Sequence, residues 1–191
     1  LDPKPYSSRA FIREMGKWLM DNGKKDNSLV KLAYEHDVPI FCPAFVDSSA
    51  GFGLVKHQVE AMKAKRPYMV LDAIADFREL TDIKIKAVTT GLLMIGGGVP
   101  KNYTLQGEPL LDQILGVPTH GFDIDLQFCV DPVDNGALSS CPAGEGHTWG
   151  KVSAESVETG SMYVHADVTA VFPWLVYALF SDPKMKRAPS R

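Results

Sequence analysis

Apolar residues recur at helical spacing in the first part of the chain. After Ser7 and Ser8, which are favourable helix caps, apolar side chains return every three or four residues as far as Gly23. This pattern predicts a helix with one buried face. The same spacing predicts three further helices, which begin at Ser28 or run near 53–65 and 69–81.

Apolar runs of strand length alternate with these helices. The run 38–45 predicts a strand that its two prolines make irregular, and the uniformly apolar run 92–95 predicts a strand buried on both faces. Between 122 and 130 apolar and polar residues alternate, which predicts a strand with one face less buried than the other. A last strand near 162–166 leads into an apolar helix near 169–181.

This alternation of strands and helices indicates the fold class. Strands joined by helices pair in parallel, so the sequence predicts an α/β domain with a Rossmann-like, doubly wound, mainly parallel sheet and helices on both faces. The 191 residues suffice for one such domain. We expect a helical lead-in over 1–37, a ligand-binding core over 38–181 and a tail over 182–191. Residues 131–148 are rich in Gly, Pro, Ser and Asn, and they predict one long, functional loop.

Composition excludes several classes of function. The net charge is −3 and the chain has no extended basic cluster, so we expect no nucleic-acid partner. Since no apolar run approaches about 18 residues, we expect no membrane span. The odd, widely spaced cysteines and the scattered histidines fit neither a disulfide framework nor a metal site. We therefore expect no metal, and a reducing, cytoplasmic compartment.

Polar residues and glycines follow the predicted strands. Ligands of open α/β sheets bind beyond the carboxyl ends of the strands, where acids can accept hydrogen bonds from ribose and glycines let the backbone approach a pyrophosphate. The residues at these ends are Asp47, Gly96–Gly98, Asp131, Asp134 and Asp167. Each has an ordinary alternative as a tight turn, a turn former or a helix N-cap. Their joint occurrence favours a dinucleotide site.

Lys151 has an unusual neighbourhood for a lysine. It follows Trp149 and Gly150 at the end of the predicted loop, and Glu145 lies six residues earlier. A lysine beside an indole loses solvation, so its neutral amine becomes more accessible for attack on a carbonyl or imine carbon. Trp149 could equally hold a substrate ammonium, with Glu145 and Asp134 supplying negative charge. The alternative is an ordinary surface lysine; the hypothesis is a polyamine pocket.

Four motifs then resemble one enzyme family. They are the segments 38–51, 96–102, 149–152 and 166–173. In this order they resemble deoxyhypusine synthase, particularly its microbial deoxyhypusine synthase-like branch, and the similarity runs from about Val38 to Phe180. The resemblance implies a homotetramer that binds NAD and oxidises spermidine. It also implies that an aminobutyl imine forms on an enzyme lysine before transfer to an acceptor amine.

The resemblance assigns roles to individual residues. Lys151 is the covalent lysine, while Asn102, Asp134, Glu145 and Trp149 line the amine pocket. The implied NAD contacts are Asp47, Gly97, Leu126, Gln127, Asp131, Asp167 and Val168.

Two departures from the family pattern leave the acceptor open. Phe52 stands where the protein-modifying enzymes have an aspartate for the polyamine, and Asn102 replaces their histidine. The acceptor is then a lysine of a translation initiation factor precursor or, as in homospermidine synthases, a small amine such as putrescine. Because the family has further chain before Leu1, we expect the C-terminal half of a longer protein, or a chain completed by an N-terminal-half partner. A non-catalytic NAD-binding subunit is the remaining alternative.

Overall fold

A computed structural model describes residues 2–185. These residues form mixed α/β structure in two compact units, one up to Lys86 and one from Ala87 onward. The predicted core over 38–181 includes parts of both units, so the division of the chain predicted from sequence stays a prediction. Within the predicted tail, residues 186–191 lie outside the described residues. No helix between residues 2 and 185 combines the length and apolar character needed to cross a bilayer.

The first unit consists mainly of helices. Its elements are β1 (Pro5–Tyr6), α1 (Ser8–Asn22), α2 (Leu29–Glu35), α3 (Ser49–Lys63), β2 (Val70–Leu71) and α4 (Ala73–Lys86). The two short strands pair in parallel. The predicted third and fourth helices are present, but α3 begins earlier than predicted and α4 later.

The first two helices begin where their capping residues predict. The Ser7 side chain accepts a hydrogen bond from the Ala10 N–H at 3.0 Å, and Gly23 caps the other end of α1. Ser28 is the N-cap of α2 in the same way. The buried carboxylate of Asp76 also accepts from the N–H of Ser8 at 2.7 Å, so α4 holds the start of α1.

The predicted strand over 38–45 is wrong, because this segment has no strand hydrogen bonding. Pro39 and Pro43 have no N–H to donate to a neighbouring strand. The Cys42 N–H instead donates to Ser8 Oγ at 2.8 Å. The segment is therefore an irregular connection that leads to Ser48, the N-cap of α3.

The second unit contains a parallel three-stranded sheet in the order β3, β4, β5. Its elements are β3 (Gly91–Ile95), α5 (Val99–Leu105), α6 (Gly107–Pro109), β4 (Ile124–Cys129), α7 (Ala143–Thr148), β5 (Ser161–His165) and α8 (Val168–Ser181). The predicted strands and the last helix are confirmed here. The prediction of one long loop over 131–148 is wrong in part, since two 3-10 turns and α7 lie within it.

Burial on this sheet differs from the sequence prediction. Leu93 and Ile95 are about half exposed, so the prediction that β3 is buried on both faces is wrong. One face of β4 is less buried, as predicted, but it is partly the apolar one: Ile124 is exposed, whereas Asp125 and Gln127 are buried. The polar face is buried because helix α5 brings a partner for Gln127 to it.

Helix α8 packs against the other face of the sheet. The ring of Phe172 meets that of Phe128 edge-on, with centroids 6.4 Å apart and planes at 78°. Phe128 is buried by this contact, while Ile124 and Met162 on the same face stay exposed. The sheet therefore has one covered face, on which Asp125 and Gln127 lie, and one apolar face that is only partly covered.

Candidate functional site

A glycine turn connects β3 to α5. Gly96 and Gly98 have φ angles of 85° and 78°, a left-handed conformation that residues with a side chain rarely adopt. A Cβ at either position would meet nothing within 4 Å, so space is open beside the turn. A Cβ on Gly97 would instead lie 2.7 Å from Ser139 Cα. The turn is thus open on one side and pressed against the 137–141 segment on the other.

A buried lysine follows this turn on α5. Lys101 Nζ donates hydrogen bonds to Gln127 Oε1 at 2.7 Å and to the Cys141 carbonyl at 2.6 Å. Gln127 Nε2 donates to the carbonyls of Gly96 and Ser139 at 2.8 and 2.6 Å. These contacts join the turn, helix α5, strand β4 and the 137–141 segment.

Burial shifts the ionisation of both charged groups on this covered face. Loss of water lowers the pKa of Lys101, and nearby groups that include Asp125 and Cys141 counteract the shift in part. Burial likewise raises the pKa of Asp125, against the attraction of Lys101. The two residues therefore stabilise each other's charge without fully offsetting their loss of solvation.

Lys151 lies in a turn after α7. Its Nζ donates to Asn102 Oδ1 at 3.0 Å and lies 5.7 Å from the centroid of the Trp149 ring. Gly150 between them has a φ angle of 70°, which lets the chain turn so that both side chains face each other. The side chain of Lys151 is half-buried. The structure therefore brings Lys151, Trp149 and Asn102 together, and their roles in an amine pocket stay predictions.

These side chains line a cavity of about 310 Å³, near the lower end of the usual size of small-ligand sites. Its polar lining comprises Lys101, Asn102, Ser140, Cys141, Glu145 and Lys151, together with the indole of Trp149. Glu145 is the one carboxylate of the lining, against two lysines. Burial, and next the charge of Glu145, raise the pKa of the Cys141 thiol, so this cysteine stays protonated at neutral pH.

Asp134 lies outside this lining. It is exposed in the 3-10 turn Val133–Asn135, although its neighbour Val133 lines the cavity. Of the two carboxylates predicted for the amine pocket, Glu145 thus lines the same cavity as Lys151, and Asp134 does not. Its predicted contact with substrate stays a prediction.

The carboxyl ends of β4 and β5 carry two of the predicted cofactor residues. The Asp131 carboxylate accepts hydrogen bonds from Ser139 Oγ and Asn135 Nδ2, and its carbonyl accepts from the Tyr163 hydroxyl. Asp167 is the N-cap of α8, directly before Val168, and accepts from the Thr169 N–H at 2.8 Å. The hydrogen bonds from Thr169 hold the pKa of Asp167 below its usual range. Asp167 is therefore a helix N-cap, which is the ordinary alternative for an aspartate at this place, and its contact with NAD stays a prediction.

The other predicted cofactor residues do not form one cluster in the second unit. Leu126 and Gln127 are successive residues of β4, so their side chains point to opposite faces of the sheet. Asp47 belongs to the first unit, where it precedes α3. Phe52 also lies in that unit and is exposed on α3. Their predicted roles stay predictions.

Sequence reasoning did not identify Lys101 as part of the site. The available signal was the pair of polar residues Asp125 and Gln127 inside an otherwise apolar strand, which calls for a polar partner if that face is buried. Among residues 2–185, no three His, Cys, Asp or Glu side chains lie close enough together to hold a metal ion.

Comparison with known proteins gives one consistent result. The family model for deoxyhypusine synthase matches residues 2–179. A deoxyhypusine synthase-like protein of Caulobacter vibrioides is 55% identical over 174 residues, which cover 91% of this chain and 46% of that protein. A protein of the same description from Coxiella burnetii is 52% identical over 92% of this chain and 48% of its own length.

A relative of lower identity extends the comparison. A probable deoxyhypusine synthase 2 of Methanosarcina mazei is 38% identical over 91% of this chain and 48% of its own length. The chain thus spans about half the length of the curated relatives that it matches.

Proposed function

The chain belongs to the deoxyhypusine synthase family, and on that premise we propose that it transfers an aminobutyl group from spermidine to an acceptor amine through an imine on Lys151. The observation that carries the proposal is the Lys151 amine beside Asn102 and the Trp149 ring in a closely lined cavity. Contacts with Asn102 and the indole hold this amine at the cavity wall, from which it could attack an imine carbon as a nucleophile.

The lining suits an amine substrate at one end. The Glu145 carboxylate would accept a substrate ammonium, and the Trp149 ring would offer its face to the same charge. Asn102 Oδ1 holds the Lys151 nitrogen and would keep it aimed into the cavity. Glu145 is the one carboxylate of the lining, so it would hold one charged end of the polyamine.

The residues present fit NAD as the oxidant that the family implies. Open space lies beside Gly96 and Gly98, where a backbone can approach a pyrophosphate, and carboxylates follow the two neighbouring strands. A doubly wound arrangement, which remains a proposal, would bring these strand ends to one crevice. When bound, NAD would accept the hydride that spermidine loses. Asp131 and Asp167 would accept hydrogen bonds from ribose hydroxyls, next to Gly97 and Val168.

Lys151 would then act on the oxidised polyamine. Its nitrogen adds to the imine carbon of the four-carbon arm, and 1,3-diaminopropane leaves with the proton that Lys151 gives up. An acceptor amine next displaces Lys151 from the same carbon, and the reduced cofactor would supply the hydride that saturates the new imine. The acceptor would be a lysine of a translation initiation factor precursor or a small amine such as putrescine. Asn102 and Phe52 bear on this choice, since they depart from the protein-modifying pattern.

Trapping of the Lys151 adduct tests the proposal. The complete protein is incubated with NAD and spermidine, reduced with borohydride, digested and examined by mass spectrometry. We expect an added aminobutyl mass on the peptide with Lys151, only when both compounds are present. Lys184→Ala, a change at an exposed lysine, serves as the matched control and should leave the adduct unchanged. Chromatography of the products with putrescine or the factor precursor then identifies the acceptor.

A second candidate function is a non-catalytic NAD-binding subunit. It is favoured by Phe52 and Asn102, which depart from the pattern of the protein-modifying enzymes. This function predicts that Lys151→Ala leaves the activity of the assembled complex unchanged. An absent adduct in an otherwise active complex would support the subunit and contradict the imine.

A further inference from the structure

Lys101 is a buried lysine to which the proposed reaction gives no task. Its side chain is only 6% exposed, and its Nζ meets Gln127 Oε1 and the Cys141 carbonyl at 2.7 and 2.6 Å. Burial of an ammonium costs free energy that close acceptors must offset. These two acceptors therefore hold the side chain in one place.

Gln127 extends this contact to two further segments. It is 2% exposed on β4, and its Nε2 donates to the carbonyls of Gly96 and Ser139. Both donors and the acceptor of the amide thus have partners within the chain. One side chain joins the glycine turn, the 137–141 segment and, through Lys101, helix α5.

These contacts fix two sides of the cavity around Lys151. On one side, Asn102 follows Lys101 on α5 and accepts from Lys151 Nζ. On the other side, Cys141 leads directly to α7, which carries Glu145 and ends at Trp149. The Lys101 bond to Cys141 spans the two sides. Gln127 is outside the cavity lining, so its effect on the reaction has to pass through other residues.

We propose that Lys101 and Gln127 are a positioning pair that sets the separation of the Asn102 side and the Glu145 side, and so aims the Lys151 amine at its substrate. The inference rests on the proposed function, because it concerns the same cavity and the same lysine. It gives Gln127 a role other than the NAD contact implied by the family resemblance. Loss of the pair should impair the chemistry of Lys151 and leave the affinity for NAD nearly unchanged.

Steady-state kinetics of the complete protein separate these two roles. We expect Gln127→Leu and Lys101→Met each to lower kcat roughly 10- to 100-fold, since displacements of about 1 Å have effects of this size. The KM for NAD should stay within about threefold of the wild-type value. The double variant should lose little more than the worse single variant, because the two residues act as a unit. Lys184→Met, at an exposed lysine, should keep the wild-type kcat.

A conservative variant provides the rescue. Gln127→Glu keeps an acceptor for Lys101 but loses the donors to Gly96 and Ser139, so its kcat should lie between those of wild type and Gln127→Leu. This variant also keeps the size of the side chain, and it carries the test if Lys101→Met does not fold. A kcat for Gln127→Glu equal to that of Gln127→Leu would contradict the contribution of the Lys101 bond.

The reactivity of Lys151 gives a readout that is independent of the enzymatic reaction. Reductive methylation with formaldehyde and borohydride, followed by peptide mass spectrometry, measures the labelling rate of its amine. We expect Lys101→Met and Gln127→Leu to change this rate about threefold or more, and Lys184→Met to leave it unchanged. If wild type transfers no aminobutyl group but labelling responds in this way, the proposed function is wrong and the positioning pair stands. Unchanged kcat and labelling in Gln127→Leu, or an approximately tenfold higher KM for NAD at constant kcat, overturns the pair.

Discussion

At Gly97 two backbone segments approach too closely for a side chain to lie between them. A Cβ there would be 2.7 Å from Ser139 Cα and 3.0 Å from Gln127 Nε2. Ser139 in turn donates to Asp131 and accepts from Gln127. The sequence predicts a glycine turn at this place, but it gives no sign of which glycine is constrained by close packing. The constraint comes from Ser139, which is distant in the chain and contacts the turn only after folding.

Gly97→Ala should therefore destabilise the protein. We expect the free energy of unfolding to fall by about 1–3 kcal/mol, because an inserted methyl group must displace the backbone of Ser139. Urea denaturation measures this change. Gly144→Ala is the matched control: a Cβ there meets nothing within 4 Å, and alanine in a helix should add about 0–1 kcal/mol. If the two variants are equally stable, the backbone of the 137–141 segment moves away from the added methyl group at little cost in free energy, and the prediction is wrong.

At the scale of elements, signals from residues close together in the sequence predicted where helices begin and where strands lie. Capping serines located the starts of α1 and α2, and short apolar runs located β3 and β5. In the site, the sequence neighbours of Lys151 predicted its contact with Trp149. The strand predicted over 38–45 was wrong because a strand needs backbone N–H groups as well as apolar side chains, and the prolines of this segment have no N–H.

The burial predicted for strand β4 was wrong in part for a different reason. Alternation in its sequence gives two faces, but only the rest of the fold decides which face is covered. Here α5 covers the polar face, because Lys101 supplies a donor for Gln127. The sequence could not reveal this partner, since the lysine lies on another element. For the same reason, the sequence could not show which residues from distant parts of the chain meet in the cavity.

Asp125 on this covered face should make stability depend on pH. Burial raises its folded pKa, so between the unfolded value of about 3.9 and the folded value the native state holds more protons than the unfolded state. Stability from this group is therefore lost as pH rises through the folded pKa, and regained as pH falls toward the unfolded pKa. Asp125→Asn should be more stable than wild type at about pH 7, and the gain should diminish toward about pH 4. Urea denaturation across this range measures the difference.

An exposed aspartate is the control for this prediction. Asp112→Asn makes the same change from carboxylate to amide at an exposed residue of the π-helical turn Leu110–Ile114. Its stability relative to wild type should depend little on pH. If Asp125→Asn is less stable than wild type at neutral pH, the attraction between Asp125 and Lys101 outweighs the burial of the carboxylate.

At the scale of the molecule, the second unit exposes an unusual amount of apolar surface. Helix α8 is apolar on nearly all sides, and Trp174, Tyr177 and Phe180 are 73%, 70% and 77% exposed. A helix of this kind is normally buried, and contiguous apolar patches mark association sites. The half-covered apolar face of the sheet adds to this surface. Association of the complete protein with further chains would cover it.

We expect association of the complete protein to depend on this helix. Changing Trp174, Tyr177 and Phe180 together to serine should shift the species seen by sedimentation velocity to smaller size, while circular dichroism stays that of wild type, because the three side chains make little contact within their own unit. Val88→Ser is the control, since Val88 is 93% exposed outside the helix and should not affect association. A complex whose mass is a multiple of that of the complete protein identifies a homo-oligomer, and any other mass identifies a second polypeptide. A wild-type protein that sediments as a single chain would contradict association through this helix. The aromatic face would then be exposed to solvent in the free molecule.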